Sequence, residues 1–495
     1  MTTPIWWVSA YFIVLILIGL YSTRISAKTT DDYFVANRGL GIMAILFSTL
    51  YAGWSAFLFM GYPGNIYKFG MGQNVMIIYA VVAPFIIVTI GEKMRVMGAK
   101  RSWVTPADLL YDRYDSKPYR LIVSLIIIVF MLPYIGIQVI GCGLALSAST
   151  KGLLSYEAAA VFVLSIMMIY LLIGGMRSAA WTSVAQGILF TAAVVIAVFW
   201  LPYAVYGSAF GGIIQSINDT LAKMPKTLTL PGEKGFFVFH WGYLHMILFG
   251  LTFYIAQPHV FRNFYMAKSK VTMYWTAVLV PLVTFGTYGL LTTLGYELTG
   301  IMGPGIKDPD QGVFIMVTKY LPPWFVGVFI IGLFSAAMST VSQQIMLCIA
   351  SISKDIWKGF VNPQASDKTL LVVSKVGLIV VFVISLAIAF IKPAGIIMIV
   401  TSLSTPGFMM ITPQLIMGMY WERSTTAGAI AGTCLGLAAV LFTTYVTPWP
   451  FKLSPIFWGL LVNIPVHVAV SYMSRKPSEA IVNMFHKEEY LKDAA

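Results

Sequence analysis

Charge is the scarcest commodity in this chain: Asp, Glu, Lys and Arg supply 10% of the residues, while hydrophobic types supply 58%. Soluble globular domains carry about a quarter charged residues, so a soluble fold is excluded, and a mean hydropathy of +0.82 points to a polytopic membrane protein. Cysteine is nearly missing as well. Cys142, Cys348 and Cys434 all fall inside apolar runs, which excludes a disulfide framework, a metal cluster and dithiol redox chemistry. There is no Walker-type glycine loop, no zinc motif, no nucleophile elbow and no pair of carboxylates within the apolar runs. Nucleotide-driven work and enzymatic catalysis therefore lack their usual machinery, and the chain reads as a non-enzyme.

What is present is a series of apolar stretches of helix-spanning length, about 20 residues, and not alternating strands of about 10, so the fold class is an all-α integral membrane bundle. Thirteen spans are expected, near 5–22, 42–60, 74–90, 120–149, 157–175, 181–206, 238–258, 272–297, 324–351, 369–391, 395–420, 427–446 and 455–473. The first, Ile5 to Tyr21, has no Lys or Arg before it and no small-residue cleavage pattern after it, and is read as a retained helix. With the N-terminus outside, 23 of the 32 basic residues lie in cytoplasmic loops and 9 in outer ones. The positive-inside rule thus sets N-out, C-in. The net charge of +13 is a record of topology, and no nucleic-acid partner is implied.

One stretch stands apart. Ser335 to Asp355 crowds Ser335, Ser339, Thr340, Ser342, Gln343 and Gln344 into a few helical turns after the apolar run Trp324 to Phe334. In lipid such a helix must face protein or water. Ser335, Ser339 and Ser342 follow the i, i+4, i+7 spacing of one face. Two readings fit: neutral oxygens for a hard, weakly held cation such as Na⁺, or hydroxyls that back-bond and hold helices together.

Broken backbone is the second signal. Ala52-Gly53-Trp54-Ser55 interrupts the second span halfway across, either to free carbonyls for a bound ion or solute or to let helices pack closely. A second interruption is expected at Leu248-Phe249-Gly250-Leu251-Thr252. Each broken span is followed by four more, giving five-helix halves at 42–206 and 238–420 that start on opposite sides of the membrane, the inverted repeat of many secondary transporters. The remaining segments are 1–41, an extra helix and loop; 207–237, an outer loop; and 421–495, two C-terminal helices and a tail. In the fourth span Pro133, Tyr134 and Gln138 read as cavity lining or as a kink that Gln138 satisfies. His259 is expected at the cytoplasmic end of its helix.

The chain resembles the sodium/solute symporter family, which includes bacterial proline, pantothenate and sugar symporters. DDYFVANRGLG, FMGYPGNIYKFG, GGMRSAAWTSVAQG, AAMSTVSQQ and YWERSTTAGAIAG carry the resemblance, in family order. It implies a leucine-transporter-type fold in the cell inner membrane. It also implies a sodium site made of the carbonyls of Tyr51, Trp54 and Ala336 and the hydroxyls of Ser339 and Thr340, with Ser342 and Ser183 nearby. Ser55, Tyr134, Gln138, Tyr254 and Gln257 would contact the solute. Three positions depart from the family pattern: Ser183 replaces an aspartate, Gly53 an aspartate of the proline symporters, and Gly250 an aromatic. The function implied is sodium-coupled import of a small organic solute: a monocarboxylate, an amino acid such as proline, or a pantothenate-like acid. The partners are the solute, Na⁺ and the lipid bilayer, with no obligatory protein partner. A membrane solute sensor on the same fold is the alternative.

Overall fold

The computed structural model describes residues 3–24, 29–150, 153–230, 242–391 and 403–487. The starts of the expected seventh and eleventh spans, at 238 and 395, lie outside the described residues. Regular structure within them is helical, apart from one isolated bridge between Leu40 and Ala267. Eight of the described helices are long and apolar enough to cross a membrane, and two more apolar helices are shorter.

The first half runs α1 (Thr3–Arg24), α2 (Thr30–Val35), α3 (Ile42–Gly53), α4 (Tyr62–Phe69), α5 (Ile78–Ile86), α6 (Glu92–Arg101), α7 (Pro106–Tyr114), α8 (Lys117–Ser149) and α9 (Tyr156–Tyr206). α10 (Ala209–Lys223) follows. The second half is α11 (Gly242–Ala256), α12 (Pro258–Phe261), α13 (Lys270–Met302), α14 (Gly312–Tyr320), α15 (Pro323–Ala350) and α16 (Asp367–Ile391). Then come α17 (Thr405–Met409), α18 (Thr412–Tyr420), α19 (Thr426–Leu441), α20 (Pro455–Met473) and α21 (Glu479–His486). The loops between them carry the caps: Thr105 and Asp108 form a capping box on α7, and Ser155, Ser208, Ser269 and Thr425 cap α9, α10, α13 and α19.

α9 is 51 residues long and holds two expected spans, 157–175 and 181–206, because the chain folds at Gly175 with φ 54° and ψ −142°. Only glycine takes that conformation without strain, and a Cβ there would also stand 2.5 Å from the Tyr33 ring.

Burial sorts the long helices. The apolar window of Pro323–Val361 is 94% buried, against 28% for Asp367–Ile391, so the polar helix is central and α16 faces outward. Ser335, Ser339, Thr340, Ser342, Gln343 and Gln344 are all buried. This meets the requirement that intramembrane polar groups face protein. α15 packs against α9, α1, α8 and α3.

Ion pairs gather where the helices end. Asp32 pairs with Arg177 at 2.5 Å, Asp31 with Arg38 at 2.7 Å and Lys354 at 3.3 Å, and Arg120 with Asp108 at 2.5 Å and Asp355 at 2.8 Å. Burial by itself lifts the Asp31 carboxyl, but the Lys354 and Arg38 charges outweigh it and leave the group below the usual carboxylate range.

Candidate functional site

The first break is where expected. α3 stops at Gly53, Trp54 turns extended at φ −91° and ψ 96°, and helical backbone resumes after Ser55. The second break is displaced from the expected Leu248–Thr252. α11 is continuous to Ala256, and the extended residue is Gln257, at φ −96° and ψ 103°. Pro258 is the reason, since a residue before proline is pushed out of the helical region. Gly250 serves close packing instead: a Cβ there would lie 2.2 Å from Ile78. Gly53 likewise abuts the Phe253 ring, 2.5 Å from where its Cβ would be.

The carbonyls freed at the first break meet the hydroxyl helix. Ser339 Oγ donates to the carbonyls of Tyr51 and Ala336, both at 3.0 Å. Thr340 Oγ1 lies 3.0 Å from Tyr51 O, 3.1 Å from Trp54 O and 3.2 Å from Ala336 O. All five residues are buried. Tyr51 is held in place by α9, through its hydroxyl to Gly187 O at 3.0 Å and Thr191 Oγ1 at 2.8 Å.

Five neutral oxygens in a buried site suit a monovalent hard cation better than Mg²⁺, which demands octahedral geometry and usually carboxylates. Among the described residues no cluster of His, Cys, Asp or Glu could hold a metal ion. Turning the two hydroxyl hydrogens aside would present five lone pairs to such a cation.

Ser342 and Ser183 do not join the five oxygens through their hydrogen bonds. Ser342 back-bonds to Met338 O at 2.6 Å and pairs with the Tyr170 hydroxyl. Ser183 back-bonds to Ala179 O at 2.7 Å. Ser335 contacts the Tyr11 hydroxyl of α1 at 3.4 Å. Each of these hydroxyls has a protein partner.

Of the expected solute contacts, Ser55, Tyr134 and Gln138 come together at the first break. The Tyr134 hydroxyl faces the Ser55 side chain, and Gln138 Oε1 accepts from Ala56 N at 3.1 Å. Gln138 thus caps the half-helix that restarts there, and neither alternative weighed from the sequence described that role. Tyr254 and Gln257 stand at the second break. Both are buried, and the Tyr254 hydroxyl and Gln257 Oε1 are left without a hydrogen bond. Tyr79 bridges the two groups: its hydroxyl accepts from Trp54 Nε1 at 2.9 Å, and its ring centroid is 5.9 Å from that of Tyr254.

The second break also supplies residues that the sequence reading missed. His259 does not cap a rim; it is buried, and its Nε2 lies 3.1 Å from Ala52 O at the first break. Asn263 Nδ2 donates to Ser48 O at 3.0 Å. Arg262 is buried and donates from Nη2 to Gln343 O at 3.2 Å. The spacing 259, 262 and 263 puts all three on one helical face, and a break at Gln257-Pro258 was the signal that would have aimed that face at α3.

Three comparisons bear on the chain as a whole. Residues 33–436 match the model of the sodium:solute symporter family. The chain is 25% identical over 501 residues to an osmoregulated proline transporter of Bacillus subtilis, covering 97% of each. It is 26% identical over 491 residues to a sodium/proline symporter of Escherichia coli, covering 96% of this chain and 94% of that one. The solved structure of a Na⁺-coupled sialic acid symporter in a substrate-bound outward-open state superposes with a TM-score of 0.79 at 19% identity, over 96% of this chain and 99% of the other.

Proposed function

The chain belongs to the sodium:solute symporter family, and on that premise we propose how it couples Na⁺ to a small organic solute. The observation that carries the reading is the convergence of Tyr51 O, Trp54 O, Ala336 O, Ser339 Oγ and Thr340 Oγ1 from two distant segments. Na⁺ enters from outside and takes these five oxygens as ligands. It thereby ties the break after α3 to the middle of α15.

The same break positions the solute groups, so ion and solute are linked. Ordering Trp54 and Ser55 around the ion sets Ser55, Tyr134 and the capped start of the half-helix, whose positive dipole end suits a carboxylate. Tyr254 and Gln257 offer their unspent hydrogen-bonding atoms from the other side. By linkage, whatever factor Na⁺ gains for the solute the solute returns to Na⁺. The solute we favour is proline or a similar small amino acid, by analogy with the proline transporters the chain is similar to. Gly53 and Gly250, which depart from the proline pattern, sit against Phe253 and Ile78, so the missing aspartate and aromatic leave no void there.

Release is inward, past buried polar atoms with spare capacity: Ser48 Oγ, His259 Nδ1, Asn263 Oδ1 and the Gln343 amide. Such groups are costly when dry and are satisfied once water enters the path. The near-identical dihedrals of Trp54 and Gln257 support the inverted five-helix halves at 42–206 and 238–420, within a thirteen-span chain. We place it in the inner membrane, N-terminus out and C-terminus in. The membrane potential supplies about 2.3 kcal/mol per charge per 100 mV.

Proteoliposome uptake of labelled proline tests this reading. Uptake should require an inward Na⁺ gradient and fail when K⁺ or choline replaces Na⁺. Uptake indifferent to that replacement would remove the coupling.

A further inference from the structure

The geometry points to a second binding site, unrelated to transport: a basic cleft at the ends of α7, α19 and α20 that holds a phosphate-bearing anion. Its volume is about 370 Å³, and Arg113, Arg475 and Lys476 line it with Asp115 as the one acid, so three positive charges meet one negative and leave two.

Arg113 is the built part of the site. It is 1% exposed. Its Nε donates to Gly418 O at 2.5 Å and its Nη2 to Trp421 O at 3.2 Å, while Nη1 is buried without a partner. No ion pair among the described residues includes Arg113, Arg475 or Lys476. A buried guanidinium with a spare N–H donor and no carboxylate partner lacks a counter-charge that an anion would supply.

Two helix starts open on the same cleft. Thr425, Thr426 and Ala427 at the start of α19 line it, as does Ser478, which begins α21 without a side-chain cap. Thr425 caps α19, so the uncapped N–H groups are those of α21, whose positive helix end favours an anion there. Three basic side chains and the uncapped start of α21 at a cavity of this size fit a phosphate ester.

The rim decides between sources. Tyr472 and Met473, the last residues of α20, are 65% and 86% exposed, giving an apolar edge beside the basic floor. A membrane phospholipid with an anionic headgroup uses both, whereas free phosphate uses only the floor.

The test is thermal unfolding of the full chain in detergent, titrated separately with short-chain phosphatidylglycerol, short-chain phosphatidylcholine and inorganic phosphate. Phosphatidylglycerol should raise the midpoint saturably and phosphatidylcholine should not. R475Q/K476Q should weaken the apparent affinity roughly thirtyfold, from two basic side chains at a surface. K268Q/K270Q, with the same charge change elsewhere, should leave it alone. Both pairs are exposed, so folding does not hinge on them as it does on Arg113. A response to inorganic phosphate as well, lost in R475Q/K476Q, assigns the site to a soluble phosphate group. No response to either anion, or an equal response in R475Q/K476Q, overturns the site.

Discussion

Removing one oxygen from the five-oxygen cluster separates a sodium ligand from a packing hydroxyl. Thr340→Val keeps the shape of the side chain and deletes Oγ1, which now reaches three carbonyls at 3.0 to 3.2 Å; Ser339→Ala deletes an oxygen that reaches two. A polar contact to a charged partner contributes about 1.5–3 kcal/mol. Loss of one such contact should therefore raise the Na⁺ concentration for half-maximal uptake by roughly 10- to 100-fold. Thr340 should show the larger effect, because it alone reaches Trp54 O. Thr340→Ser keeps the oxygen and should stay within about threefold, since only a methyl group is lost. The assay is initial uptake in proteoliposomes against a sodium series, with solute saturating. At saturating Na⁺ the solute KM should return to the parent value. A packing role gives a different pattern: lower thermal stability with the sodium dependence unmoved. That pattern in Thr340→Val and Ser339→Ala together would refute the ligand assignment.

Other substitutions probe the neighbouring elements. Gln138→Leu strips the cap from Ala56 N and should raise solute KM several-fold in the same uptake assay, with a cost of about 1 kcal/mol. His259→Phe leaves Ala52 O unpaired beside the first break and should lower the maximal rate with a penalty of about 1–3 kcal/mol, measured alongside surface expression. Gly175→Ala forces a Cβ against the Tyr33 ring at a φ of 54° and should lower the unfolding midpoint, by more than about 1 kcal/mol of stability. Asp31, depressed in the folded state, contributes stability above its unfolded pKa that is lost as pH falls through the lower folded value. The stability gap between the parent and Asp31→Asn should accordingly shrink as pH drops from neutral through about 4.

How much of this was legible beforehand follows from what each signal depends on. Scarce charge and long apolar runs announced a helical membrane bundle, because bilayer thickness and unsatisfied backbone cost act on composition and length alone. The hydroxyls of Ser339 and Thr340 stood out because polarity in lipid is expensive wherever it occurs. Gly53-Trp54-Ser55 marked the first break for the same kind of local reason. The second break was misplaced onto Gly250, because a glycine can serve either an unwound turn or a close approach, and only the neighbour, Ile78, tells them apart. Its true cause, Pro258 acting on Gln257, was also in the sequence.

The sequence by itself determined the class of fold, the polar helix and one broken span, each a property of residues near one another in the chain. The tertiary structure alone decided which carbonyls those hydroxyls meet, that Gln138 caps a half-helix 82 residues away, and that His259 reaches back 207 residues to Ala52. It also decided that Arg262 is buried and that Arg113 faces a cleft. The reason is physical: a hydrogen bond or a buried charge is fixed by distances of a few ångströms between segments, and local propensity carries no information about which distant segment will arrive.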